Sequence, residues 1–188
     1  GLPGSGWARW LAYFGALGAG FMLLEVAMLQ RFVLLLGHPV YSLTVTLFSL
    51  LLGTGLGSLL TRAVDDLRIR RVTMSALIAI VMLALASRFA VPWLVDAAIP
   101  WPLGVRIAVA VTILVPAGIL LGMALPGGMR MLAARRPEIA PWGWGMNGAF
   151  SVVGATLAVF IAMNWGFSTT LVTAAFVYAT AAGTLRVS

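Results

Sequence analysis

The amino-acid sequence predicts an all-α polytopic membrane bundle of about six transmembrane helices. Three observations lead there. Of 188 residues, 62% are hydrophobic and only 9% charged, whereas a soluble domain carries roughly 25% charged residues. A single globular core cannot absorb that excess; a bundle whose outer faces meet lipid can. Six apolar runs reach the about 20 residues needed to cross a bilayer. Finally, all twelve basic residues are arginines, and they alternate in density between the two sides of such a bundle. One side holds Arg9, Arg62, Arg68, Arg70, Arg71, Arg130, Arg135, Arg136 and Arg186, the other Arg31, Arg88 and Arg106. A miscounted span would scramble this partition, which predicts both termini on the cytoplasmic side.

Residues 1–9 are expected to be a turn-rich linker from an upstream region, since GLPGSG has no basic n-region of a signal peptide. The spans follow at about 10–36, 41–61, 72–91, 103–131, 142–162 and 167–184. His38-Pro39 separates the first pair, and Asn164-Trp165-Gly166 is the natural turn in the uncharged stretch that holds the last two. Pro116 and Pro126 fall in or near the end of the fourth span, where each removes a backbone donor. Trp7, Trp10, Trp93, Trp101, Trp142 and Trp144 lie near the expected interfaces, as an aromatic belt does. TRAVDDLRIRR (61–71) and ARRPE (134–138) read as solvated basic loops, the first with local ion pairs.

Composition excludes several functions. With no cysteine there is neither a disulfide framework nor a thiolate metal site, and the single His38 cannot build a histidine metal or bis-His haem site. The net charge of +7 does not indicate nucleic acid, because the arginines sit at the ends of apolar runs and not on one soluble face. GTGLGS (53–58) imitates a phosphate-binding glycine loop, but no strand precedes it and apolar residues surround it. Its Gly53 and Gly57 read instead as a small-xxx-small packing pair, repeated by Gly118 and Gly122, with Gly15/Gly18 and Gly148/Gly154 as further small faces.

The polar residues inside the apolar runs are the candidate site: Glu25, Gln30, Arg31, His38 and Asn147. At about 100° per residue, Gly18 lies roughly 20° from Glu25 around the helix, so the acid shares the face most suited to meet other helices. A carboxylate there reads either as a proton or cation site or as a buried polar staple to another helix. Gln30 and Arg31 lie roughly 140° and 120° away from it, which argues against an intrahelical Glu25–Arg31 pair. Arg31 is expected to snorkel or to pair with a neighbouring helix, and His38 to serve the turn. Asn147 either bonds across to another helix or joins Glu25 in a polar pocket; Ser151, Thr44 and Thr46 are weaker candidates of the same type.

Three stretches together resemble a known family: GFMLLEVAMLQRFVLLLGHPVYSLTVTLFSLLLGTGLGS (20–58), LGMALPGGMR (121–130) and PWGWGMNGAFSVVGATLAV (141–159). They are similar to the membrane portion of membrane-bound spermidine synthase-like proteins, also called fused major-facilitator/spermidine synthase proteins, over about residues 12–184. The distinctive runs place Glu25, Gln30, Arg31, Gly37, His38, Pro39, Trp142, Trp144, Asn147 and Gly148 in the family pattern. The resemblance implies a bacterial inner-membrane protein that anchors an upstream Rossmann-like aminopropyltransferase or methyltransferase-like domain and handles a polyamine or another small substrate. The transferase activity and its S-adenosylmethionine-type cofactor are implied only for that upstream domain. No cofactor and no catalytic residue are expected in these 188 residues. A second similarity, of GSLLTR and RIRR (57–71) to the loop between helices 2 and 3 of major facilitator transporters, implies a half-size transporter of a small solute as the alternative, although Thr61 stands where an acid is expected. In the first case Glu25 is the counter-charge of a cationic amine; in the second it is a proton-coupling carboxylate.

Overall fold

A computed structural model describes residues 6–98 and 100–187. Six long helices account for nearly all of them: α1 (Gly6–Leu36), α2 (Pro39–Arg62), α3 (Asp66–Ala98), α4 (Leu103–Arg135), α5 (Ala140–Trp165) and α6 (Phe167–Val187), with a 3-10 turn at Pro137–Ile139. Each is long and apolar enough to cross a bilayer, and no strand forms among the described residues. The chain is a multi-pass membrane protein.

The helices overrun the predicted spans. Gly6–Arg9 of the expected linker are the first turn of α1; the rest of that linker lies outside the described residues. α3 begins six residues before the apolar run and continues through Pro92 to Ala98. α4 passes both Pro116 and Pro126 and ends at Arg135. α5 includes Asn164 and Trp165, which leaves Gly166 alone as the turn. Hydropathy marks only the stretch that must avoid water. Arginine is a good helix former, so the backbone ladder continues into the interface. The basic loops shrink accordingly. Of 61–71, only the residues between Arg62 and Asp66 leave the helix, and the ion pair there crosses to another helix, Asp66 with Arg130 of α4.

The turns show why specific residues stand in them. Gly37, at φ +76°, has the left-handed conformation that ends α1, and its N–H bonds the Val33 carbonyl at 2.9 Å. His38 is then the extended cap of α2, its Nδ1 accepting from Val40 N–H at 3.3 Å, with Pro39 in the first turn, where a missing N–H costs nothing. Gly166, also at positive φ (+82°) but with ψ 164°, ends α5, its N–H bonding the Ala162 carbonyl at 3.0 Å.

α1 is the central helix. Tyr13, Phe14, Leu17, Leu23, Leu24, Met28 and Phe32 are all buried, and α1 packs on each of the other five helices. Trp10 belongs to this core, packed against Tyr13 and Phe14, and not to the interfacial belt; Trp93, Trp142 and Trp144 are exposed as a belt requires. α5 lies mainly on α1, α2 on α4, and α3 and α6 pack on each other. Exchanging α1 with α4, α2 with α5 and α3 with α6 therefore carries the main packing pairs onto one another. Both large crossings run parallel: Gly143 meets Phe14 and Gly154 meets Ala19 on α1, while Gly118 meets Leu50 and Gly122 meets Thr54 on α2. This is a three-plus-three arrangement of the kind found in inverted repeats.

Helix direction gathers the nine arginines of the denser set at one end of the bundle, where two of them close helix termini. Arg130 donates to the Thr61 and Val64 carbonyls at 2.7 and 3.0 Å, at the end of α2. Arg70 donates to those of Leu185 and Arg186 at 3.3 and 2.9 Å, at the end of α6. Cations at helix C-termini face the negative end of the helix dipole.

Candidate functional site

Because α2 is held on α4 and α5 on α1, a cleft of about 370 Å³ remains between them. Its walls are Gly18, Phe21 and Met22 of α1, Thr54 and Ser58 of α2, Gly122 and Pro126 of α4, Asn147 and Ser151 of α5, and Tyr178 of α6. Glycines bring these walls together. A Cβ on Gly53 would stand 2.8 Å from Gly118 Cα, one on Gly122 2.5 Å from Thr54 Cα, and one on Gly154 2.6 Å from Ala19 Cα. Such distances are far inside van der Waals contact. Gly18 rests in the same way on the Asn147 backbone and Gly57 on that of Ile119. Gly148, by contrast, has nothing within 4 Å of its Cβ position and packs on no neighbour.

Three polar side chains of the cleft each spend a donor on a backbone carbonyl. Thr54 donates its hydroxyl to Leu51 O at 3.0 Å, and Ser151 donates to Asn147 O at 2.8 Å. Asn147 Nδ2 donates to Phe14 O at 3.3 Å. Pro126 has no N–H, so the Gly122 carbonyl lacks its usual i+4 donor. These groups leave lone pairs for a ligand, on two hydroxyl oxygens, an amide oxygen and a backbone carbonyl, beside the second Asn147 N–H and the hydroxyls of Ser58 and Tyr178, which can donate or accept. With acceptors in excess of donors, such a site fits a ligand rich in N–H.

The five predicted polar residues do not assemble into one site. Asn147 lines the cleft. Glu25 does not: it lies one turn beyond Met22 on the same face of α1, half-buried, with no hydrogen-bond or ion-pair partner among the described residues. The expected shared pocket of Asn147 and Glu25 is thus an arrangement in series along α1. Ser42 Oγ donates to Leu29 O at 2.7 Å, which fixes the register of α1 against α2. One turn deeper on each helix, Glu25 and Thr46 stand at the same depth. Thr46 and Ser49 are fully buried, and their hydroxyls have no hydrogen-bond partner among the described residues.

Gln30, Arg31 and His38 belong to the opposite end. Gln30 is exposed. Arg31 reaches α6, donating from Nη2 to Ser168 Oγ at 3.0 Å with its guanidinium 5.4 Å over the Phe167 ring, and it makes no pair with Glu25. His38 is the cap described above, and Thr44 is exposed. Sequence reasoning missed Thr54, Ser58 and Tyr178, and it missed the Gly122 carbonyl, whose signal was present in Pro126 four residues on.

No group of three or more His, Cys, Asp or Glu side chains comes together among the described residues. GTGLGS lies within α2 and forms no loop that could cradle a phosphate. Compared with protein-family models, curated proteins and solved structures, the chain matches none of them.

Proposed function

We propose that this chain is the membrane portion of a spermidine synthase-like protein, and that its cleft receives the ammonium group of a polyamine or a similar small amine. The likeness of the 20–58 and 141–159 stretches to that family supports the first half. The observation that carries the second is the excess of acceptors in the lining, where Thr54, Ser151 and Asn147 each spend a donor on a backbone carbonyl and keep an oxygen free to accept. An ammonium has three donors and no acceptor. It also needs a counter-charge in a low-dielectric site, and Glu25, without a partner of its own, stands one turn away. In this reading the transferase chemistry and its S-adenosylmethionine-type cofactor belong to an upstream Rossmann-like domain. The arginine-dense end faces the cytoplasm of a bacterial inner membrane, with both termini inside.

Calorimetric titration of spermidine into the purified chain in neutral detergent tests the cleft. Spermidine is expected to bind, and Glu25→Gln to weaken it about tenfold or more, the effect of losing roughly 1.4 kcal/mol of charge interaction. No binding, or a Kd unchanged by Glu25→Gln, removes the amine site. The exchange of helix triplets supports a second reading, a half-size major-facilitator-like transporter with Glu25 as its coupling carboxylate. Solute flux by this chain alone in proteoliposomes favours that reading; a Rossmann-like domain encoded in frame upstream favours the first.

A further inference from the structure

Arg31 lies five residues inside the end of α1, a rise of about 7.5 Å. Its charge is poorly compensated. Nη2 donates to Ser168 Oγ at 3.0 Å, Nε is buried without an acceptor, and Nη1 has no partner among the described residues. No carboxylate pairs with it there. The Phe167 ring, 5.4 Å from the guanidinium carbon, offers only the partial compensation of a cation–π contact. Ser168, having accepted from Arg31, keeps its own O–H to donate. The cluster is thus rich in donors and carries one positive charge, and it lies nearer the end of α1 away from the cleft.

An unpaired guanidinium at this depth is costly, and its planar fork matches the oxygens of a phosphate or carboxylate. Its depth is also informative. A side chain of this length, rooted about one and a half turns below the helix end, brings its head to the level of lipid headgroups. Ser168 is the second residue of α6, at that same end. We propose that Arg31 and Ser168 together bind the phosphate of a phospholipid in the leaflet at the arginine-poor end of the bundle. The lipid then ties α1 to α6 at the end where Gly37 and Gly166 make the turns. The cleft and its amine play no part in this assignment.

The test uses the full chain purified in neutral detergent, with adducts counted by native mass spectrometry and thermal unfolding followed in parallel. The probes are phosphatidylglycerol, diacylglycerol with the same acyl chains, and inorganic phosphate. Phosphatidylglycerol is expected to bind and to raise the unfolding midpoint. Arg31→Gln is expected to weaken that binding about tenfold or more, and Ser168→Ala severalfold, as for loss of charge-assisted hydrogen bonds. Spermidine affinity should not change in either variant. Equal phosphatidylglycerol binding by Arg31→Gln overturns the site, as does equal protection by diacylglycerol, which would mean that acyl packing alone is at work. Saturation by inorganic phosphate with displacement of the lipid overturns the lipid assignment. If Arg31→Gln does not fold, Ser168→Ala decides, and an unchanged lipid affinity in that variant rejects the proposal.

Discussion

Arg130 stabilises the bundle more through the carbonyls it reaches than through the acid it pairs with. Asp66 is 89% exposed, and exposed ion pairs contribute about 0.2–1 kcal/mol. The bonds to Thr61 O, which also accepts from Val64 N–H at 3.3 Å, and to Val64 O close the end of α2, where the helix ladder runs out. Arg130→Ala is therefore expected to cost about 2–3 kcal/mol and Asp66→Ala less than about 1. Equilibrium unfolding in mixed micelles orders the two, and the reverse order would contradict this assignment. Glu25 predicts the opposite sign. It is half-buried without a partner, so replacing its carboxylate by a neutral amide should leave stability unchanged or raise it. A structural staple would lose stability on the same substitution. A thermal midpoint lowered by several degrees in Glu25→Gln would identify Glu25 as such a staple.

At the scale of the elements, two parallel glycine crossings hold the architecture, α1 on α5 and α2 on α4. Not every glycine in them matters. A Cβ on Gly57 would strike the backbone of Ile119, whereas one on Gly55, two residues earlier, meets nothing within 4 Å. Gly57→Ala is expected to destabilise by about 1–3 kcal/mol, since backbone cannot yield as a flexible side chain does. Gly55→Ala should be neutral or stabilise by up to about 1 kcal/mol through helix propensity. Similar unfolding midpoints for the two variants would mean that α2 does not cross α4 as described. Spacing was enough to single out the pair Gly53 and Gly57. It could not reveal that Gly148 packs on nothing while Gly143, outside any such pair, lies against Phe14. A spacing rule selects a face, and whether a neighbour covers that face depends on the other helix.

For the whole molecule, the gathering of nine arginines at one end sets the expected orientation in the membrane. The natural absence of cysteine makes this simple to check. Leu67 is 95% exposed at the arginine-dense end, and Pro100 is exposed at the other. In intact cells a membrane-impermeant maleimide is expected to label Pro100→Cys, and to label Leu67→Cys only after the membrane is opened. The converse pattern would invert the topology. The exchange of the two helix triplets gives the cleft its position, because α1 and α4 each carry the flanking helix of the other half.

What the sequence alone determined is whatever depends on local composition. The number of spans, their alternation and the arginine-dense end follow from the cost of placing charge or unsatisfied backbone in hydrocarbon, and the neighbourhood of the turns at His38-Pro39 and Gly166 from local turn chemistry. The identity of each helix's partner does not. It rests on contacts such as Tyr13 Oη to Ala124 O at 2.8 Å and Asn147 Nδ2 to Phe14 O at 3.3 Å, which join residues more than a hundred positions apart. Only the tertiary structure could show that Arg31 reaches Ser168 of α6 while Glu25 has no partner among the described residues. It alone places Asn147, Ser151 and Thr54 around one cleft, because which lone pairs remain free depends on which neighbouring carbonyls have already taken the protons.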